Sequence, residues 1–272
     1  MNPPCVSVVM VTYKENQARL KHAIDSVLNQ TFGDLELIIV CETGDPNIAY
    51  VEQSYQDERI VIVVNKDAPH RNVCHNLGLA AARGRYLARM DSDDYTYPDR
   101  LAMQVEFLRT NPDVALVGAA GRLLDRNGGC AGTRIFPSTH TAIMRKIAFS
   151  NPIFHSAVLW DRDIVGRDLR YSMYLLDDLE LWLRMVRSGH RLANLPDVLI
   201  DYTQPDGYRR PMRNWRCNVE VRALHWRLGL KYPRLLIGLA GFFIMSHLPG
   251  RVVDSITGRN WFSDYFRSIH AR

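Results

Sequence analysis

The sequence predicts an α/β fold: an open, mostly parallel sheet with helices on both faces, followed by a C-terminal helical extension. Three observations predict it. Short runs rich in Val, Ile and Leu alternate with segments whose apolar residues recur at helical spacing. Several of those runs end in polar segments, as strand exits of an open α/β sheet do. After Asp201 the composition changes, with Pro, Arg and Tyr becoming frequent.

The elements follow in order. Val6–Thr12 has the length and composition of a buried strand. Asn16–Gln30 places Leu20, Ala23, Ile24, Val27 and Leu28 on one helical face. Leu35–Cys41 is a second strand, Glu42–Asn47 a polar turn, and a helix begins near Ile48. Arg59–Val64 is a third strand, and Val73–Arg83 a helix closed by Gly84. Arg85–Met90 is a fourth strand that ends at Asp91. Beyond Pro98 come a helix over Arg100–Thr110, a strand over Val114–Gly118, a turn at Gly128-Gly129, and a helix over Asp177–Ser188 closed by Gly189. The strand exits Thr12–Glu15, Cys41–Asp45 and Asp91–Asp94 are all polar, which brings three distant parts of the chain to one crevice. Residues 1–204 are expected to form one α/β domain, with a first part over about 1–120 and a second over about 121–204; residues 205–272 form the extension.

Composition narrows the function. Hydrophobic residues make up 47% and charged residues 23%, which excludes a disordered chain. The five cysteines are scattered with no C-x-x-C pair, which argues for reduced thiols over a disulfide framework or a zinc site. Met1–Pro4 leads directly into the first strand, without the basic start and apolar core of a signal peptide, so a cytoplasmic protein is expected.

The strongest chemical signal is Asp91-Ser92-Asp93-Asp94. Three carboxylates within four positions repel one another unless a cation absorbs their charge. A hard ion such as Mn2+ or Mg2+ takes one or two protein carboxylates and completes its shell with phosphate oxygens. A solvated acidic turn ahead of the next helix accounts for the same residues.

These residues also carry a resemblance. Asn76-Leu77-Gly78, Ala81, Gly84, Tyr86 through Asp94, Pro98, Arg100-Leu101 and Gln104 resemble the core of family 2 glycosyltransferases, which have the GT-A fold. Val6–Tyr13 is similar to that family's first strand, Ala23–Phe32 to its first helix, and Asp177–Arg184 to its second acidic motif. The resemblance spans residues 5 to 200. It implies inverting sugar transfer from a nucleotide-diphosphate donor of the UDP-sugar type, with Mn2+ or Mg2+. It also implies a nucleotide-sugar-binding set of Thr12, Tyr13, Glu15, Glu42, Asn76, Asp91 and Ser92, with Asp91 on the ribose and Asp93 as metal ligand. Two departures stand out: Cys41-Glu42 replaces the usual acidic pair, leaving Glu42 to recognise the base, and His75 replaces the basic residue before Asn76.

Inversion requires a base for the acceptor hydroxyl, and the resemblance places Asp178 there. Acids in the first turn of a helix are also favoured by its dipole alone. Trp182, one turn after Asp178, is a candidate for the acceptor side or for the core. Asp177 and His155 are further acceptor or phosphate candidates, as are Arg209 and Arg210 in the basic C-terminal third. From Pro205 to Arg234 there are eight Arg or Lys against two acids, followed by the apolar run Leu235–Leu248. Basic residues and tryptophans beside an apolar run too short to span a bilayer suit a segment at the inner membrane surface, and hence a lipid-linked acceptor for cell-surface polysaccharide or glycolipid synthesis. Nucleic-acid binding fits the charge but has no recognisable motif. A pyrophosphorylase or a dehydrogenase would need glycines after the first strand, where Thr12–Asn16 has none. A non-catalytic sugar- or partner-binding scaffold is the alternative, and it does not need the acidic motifs.

Overall fold

The computed structural model describes residues 3–67, 69–125, 128–166, 169–203, 212–248 and 252. The chain divides into two compact units, Met1–Tyr208 and Arg209–Arg272.

The first unit begins with four parallel strands. These are β1 (Val6–Thr12), β2 (Leu35–Glu42), β3 (Ile60–Asn65) and β4 (Tyr86–Asp91), joined by α1 (Gln17–Leu28), α2 (Asn47–Ser54) and α3 (Arg71–Ala81). Every residue of β2 is buried, as expected for a strand covered on both faces. Asn16 caps α1, its side chain accepting from the amides of Ala18 and Arg19. Gly78 lets α3 lie against the sheet: a Cβ there would come within 2.4 Å of Val9 Cγ1.

Then follow β5 (Tyr95–Thr96), α4 (Arg100–Thr110), β6 (Val114–Leu124), β7 (Cys130–Arg134), α5 (His140–Ile147), a 3-10 turn at His155–Ala157, β8 (Leu159–Asp161), α6 (Arg162–Val165), α7 (Asp177–Arg187) and β9 (Arg191–Thr203). The sheet order is β3-β2-β1-β4-β8-β6-β9-β5, with β7 paired to β6. Strand order reverses at β1, which lies between β2 and β4. A ligand crevice is expected at such a switch point, outside the carboxyl ends of β1 and β4, where Thr12 and Asp91 stand.

The second half differs from the sequence expectation. The strand expected over Val114–Gly118 runs on to Leu124, and β8, α5 and β9 were not among the expected elements. Strand β9 hides its nature because Pro196 interrupts it. Pro196 and Asp197 lie in a bulge between Leu195 and Val198, which pair with Ala119 and Ala120. Proline is tolerated in a strand at such a bulge because no ladder donor is needed there. Gly189, at φ 93°, ends α7 as expected.

The second unit contains α8 (Met212–Leu224), α9 (Leu228–Lys231) and α10 (Arg234–His247). Helix α10 buries Leu235, Gly238, Phe242 and Ser246. Phe242 packs on Trp215 with ring centroids 5.5 Å apart, and the Arg222 guanidinium lies 4.2 Å from the Phe242 centroid. No helix among the described residues is long and apolar enough to cross a membrane.

Candidate active site

The loop leaving β1 is built against the start of α2. Thr12 is buried, and the Asn47 amide donates to its hydroxyl at 3.2 Å and to the Glu15 carbonyl at 3.2 Å. Lys14 holds a left-handed backbone, φ 52°, and its N–H donates to Asp45 Oδ2 at 2.9 Å. Tyr13 is left 61% exposed on this loop. Asp45 thus shapes the loop; the sequence marked it only as the last residue of the polar exit Cys41–Asp45. Glu42 points inward: Asn65 donates to its Oε2 at 2.9 Å and the Cys74 thiol to its Oε1 at 3.1 Å. Both of its oxygens are therefore engaged within the fold.

At the exit of β4 the carboxylates diverge in their surroundings. Asp91 forms a bidentate ion pair with buried Arg89, whose Nη1 donates to Oδ2 at 2.6 Å. Ser92 is buried. Asp93 is pushed up to about 6 by burial first and then by the negative neighbours Asp91 and Glu15. Burial, with Asp91 and Asp93 beside it, holds Asp94 well above the usual carboxylate range. Strand β9 pins this turn in place: the Thr203 amide donates to Asp94 Oδ1 at 2.9 Å, and the Thr203 hydroxyl to the Asp93 carbonyl at 2.7 Å.

Helix α3 organises the approach to α7. The Asn76 amide donates to the Tyr171 carbonyl at 2.9 Å and accepts from its N–H at 2.7 Å. Asn72 donates to the Ser172 carbonyl at 2.6 Å. Asn76 thus clamps the chain ahead of α7 instead of presenting a free amide to the crevice. His75 is buried against Tyr171, ring centroids 4.7 Å apart, and burial together with Arg89 and Arg71 lowers its pKa well below the ordinary histidine value. It is neutral and has no charge to offer a phosphate. The nearby exposed cation is Arg71, which pairs with buried Asp177 at 2.9 Å.

Asp178 is half-buried at the start of α7. Its Oδ1 accepts from the Leu179 N–H at 2.7 Å and its Oδ2 from the Asn151 amide. Burial and then Asp177 raise it to about 6. Trp182 is fully enclosed, so it does not line the surface; its indole N–H donates to Asn151 Oδ1 at 3.2 Å. His155 bonds Tyr171 Oη through Nε2 at 2.7 Å, and burial, then Arg89, His75 and Arg71, keep it neutral. Arg209 and Arg210 lie outside the described residues.

The two acidic groups share neighbours. The charge of Arg89 favours ionisation of Asp93, Asp177 and Asp178, while it pairs directly with Asp91. Tyr171 is influenced by Asp91, Asp177 and Asp178 alike. Sequence reasoning missed Tyr171; Arg89 and Asp45 stood within segments it marked, and Asn151 opens the segment Asn151–Ser156 that resembles a family stretch near the acceptor, but none of the three was given a role. Among the described residues no three His, Cys, Asp or Glu side chains are grouped closely enough to hold a metal by themselves.

The sequence profile described as Glycosyl transferase family 2 matches residues 7–162. The chain is 32% identical to the putative glycosyltransferase EpsE of Bacillus subtilis, over 76% of each protein. It is 29% identical to the amylovoran biosynthesis glycosyltransferase AmsE of Erwinia amylovora, over 88% of this chain and 91% of that one. Among solved structures, the mannosyltransferase PcManGT of Pyrobaculum calidifontis, in complex with GDP-Man and Mn2+, superposes with a TM-score of 0.65 at 17% identity, covering 98% of this chain and 83% of that one. Residues 1–349 of S. aureus TarS, in complex with UDP-GlcNAc, give 0.62 at 15% identity, covering 94% and 83%. The chain spans 39% of the longer TarS structure. At these identities the structural likeness is one of fold: the GT-A type.

Proposed function

Since the chain belongs to glycosyl transferase family 2, we propose that it moves a sugar from a nucleotide-diphosphate donor to an acceptor hydroxyl with inversion at the anomeric carbon. The observation that carries this reading is the shared neighbourhood of the two acidic groups. Arg89 acts on the carboxylates at the exit of β4 and on those at the start of α7. A donor held by the first group would therefore present its anomeric carbon to a base in the second. In the reaction the acceptor oxygen bonds to the anomeric carbon from the face opposite the leaving group. The bond to the diphosphate breaks with its electron pair, and Asp178 takes the hydroxyl proton. A carboxylate raised to about 6 is a stronger base than an ordinary one and is still ionised at neutral pH.

A divalent cation at the exit of β4 would take Asp93 and complete its shell with donor phosphates, since no three acidic side chains among the described residues are grouped there to hold it alone. Asp91, Asp93 and Glu15 put negative charge together, and the donors are hard oxygens. Asp93 would hold the metal, and a bound Mn2+ or Mg2+ would neutralise charge on the departing diphosphate. Exposed Tyr13 offers a ring to the base, and Asp91 a carboxylate to the ribose. The TarS complex with UDP-GlcNAc favours a UDP-sugar as donor, and the complex of PcManGT with GDP-Man makes GDP-mannose the comparison. Calorimetry of UDP-GlcNAc and GDP-mannose, each with and without Mn2+, tests the site. Wild-type protein should bind one donor in a Mn2+-dependent way, and Asp93→Ala should lose that dependence. Equal metal-dependent affinity in the variant would remove Asp93 from the metal, and a product of retained anomeric configuration by NMR would exclude inversion.

The proposed acceptor is a lipid-linked saccharide of cell-surface polysaccharide or glycolipid synthesis. The name of AmsE supports the pathway class. Met173, Tyr174 and Leu175 are exposed immediately ahead of Asp178, where an acceptor with an apolar part would lie. In the second unit, α10 turns Leu236, Ile237, Phe243 and Ile244 outward, and Arg227, Lys231 and Arg234 are exposed nearby. At 1.5 Å per residue its 14 residues reach roughly 21 Å, suited to lying in a membrane interface. The protein should float with anionic phosphatidylserine vesicles, and salt should weaken that binding without abolishing it. Ile237→Glu with Ile244→Glu should lose the salt-resistant fraction. No flotation at low salt would point to a soluble acceptor.

A further inference from the structure

We propose that Asn151 is a positioning residue for Asp178: its side-chain amide, oriented by the Trp182 indole, aims and holds the carboxylate that receives the acceptor proton. The proposal rests on Asp178 being the base; the segment Asn151–Ser156 resembles a family stretch near the acceptor, and the proposal gives its first residue a specific part.

The orientation of the Asn151 amide is determined by its partners. Its Oδ1 accepts from the Trp182 indole N–H at 3.2 Å and from the Ile153 backbone N–H at 3.3 Å. Both partners can only donate, so the oxygen must face them. The nitrogen is then left facing Asp178 and donates to its Oδ2. A flipped amide would set two donors against Trp182 and Ile153 and an acceptor against a carboxylate, losing all three bonds at once. The Leu179 N–H fixes the other oxygen of Asp178 at 2.7 Å. The carboxylate thus has one donor on each oxygen, which fixes its plane.

Each part of this chain is itself held. Trp182 follows Asp178 by four residues on α7, so the two share one helical face. Its ring is fully enclosed, with Trp160 at 6.1 Å and His155 edge-on at 5.9 Å between centroids. Asn151 precedes Pro152, which confines its backbone to extended conformations. An enclosed indole and a restricted backbone leave the amide little freedom. Rigidly placed supports of this kind let a base hold its working geometry.

Besides Asn151, the groups that face Asp178 are Asp177 on its own helix, Arg71 from α3, Arg89 from β4 and Tyr171 from the segment before α7. Asn151→Ala leaves all of them in place. It removes one N–H from the ionised carboxyl, so Asp178 should bind its proton more tightly.

The test is the pH profile of UDP release from UDP-GlcNAc with Mn2+ and water as acceptor, in the full chain. In Asn151→Ala the acidic limb should move upward by about one pH unit, giving roughly fivefold loss at pH 6 and a much smaller loss at pH 8.5. Affinity for UDP with Mn2+ should stay within about twofold of wild type, a control a misfolded protein would fail. Trp182→Phe keeps an aromatic ring but removes the indole donor, and it should move the limb the same way by less. A merely structural role would lower the rate by one factor at every pH and leave the limb where it is; that result overturns the proposal. A near-wild-type rate in Asp178→Asn would remove the base itself and the proposal with it. An unmoved limb in Asn151→Ala beside an inactive Asp178→Asn would overturn the positioning role alone.

Discussion

The acidic turn after β4 and the acidic start of α7 use the same residue type in opposite ways. Each contains one aspartate in an ion pair, Asp91 with Arg89 and Asp177 with Arg71, and one aspartate raised to about 6, Asp93 and Asp178. Burial is the largest cause of the shift in both. The second cause differs. Asp93 is raised by two further carboxylates, Asp91 and Glu15. Asp178 is raised by one, Asp177, and it has a donor on each oxygen. The first turn therefore gathers negative charge that a cation would relieve, while the second holds a single aimed carboxylate. Aspartates thus acquire separate roles from their partners, which fits a metal ligand on one side of the crevice and a base on the other.

The comparison can be broken most directly at Asp178. Asp178→Asn keeps size and most hydrogen bonding but cannot take a proton. Turnover of the donor that binds should fall by roughly 10²-fold or more, while metal-dependent donor affinity survives. Loss of donor affinity in that variant would show that both acids serve the donor.

A smaller effect separates the two by pH. A carboxyl with a raised folded value destabilises the fold once ionised. That burden is absent below the unfolded value of 3.8 and fully present above about 6, so stability falls as pH rises through this window. Mn2+ should relieve it at Asp93 only. The rise in melting temperature with Mn2+ should therefore be larger at pH 7.5 than at pH 5.5 in wild type and in Asp178→Asn, and should vanish in Asp93→Ala. A Mn2+ effect of equal size at both pH values would show that Asp93 does not hold the ion.

The first half of the sheet was legible because strands β1 to β4 repeat one unit: a short apolar run, a polar exit and a helix of clear period. In the second half β8 has three residues, too few to show a period, and Pro196 breaks the pattern of β9. The candidate site divides in the same way. Asp91, Asp93 and Asp178 stand in compact motifs, so their types and spacing mark them. Asn151 meets Asp178 across 27 positions, and Asn76 meets Tyr171 across 95. Nothing local in either sequence neighbourhood announces these partners, because the fold alone brings them together. Trp182 offered a helical face but not its direction; the structure turns the ring inward.

The smallest expected effect concerns Asn76, where family resemblance and geometry diverge. The resemblance places it among the donor-binding residues, whereas here both ends of its amide bind the backbone of Tyr171. Tyr171 begins the segment that leads into α7, and Asn72 holds the next residue from the same helix. A clamp of this kind acts on the position of Asp178, seven residues on, and leaves the β4 turn untouched. Removing it in Asn76→Ala gives up two hydrogen bonds and leaves backbone groups without partners, about 1–3 kcal/mol of stability. Turnover should fall about fivefold through looser placement of the base, with UDP affinity in Mn2+ unchanged within about twofold. A donor contact would give the reverse split, with affinity lost and turnover at saturation kept. Asn72→Ala should resemble Asn76→Ala in sign and be weaker, since it removes one of the three bonds that tie this segment to α3.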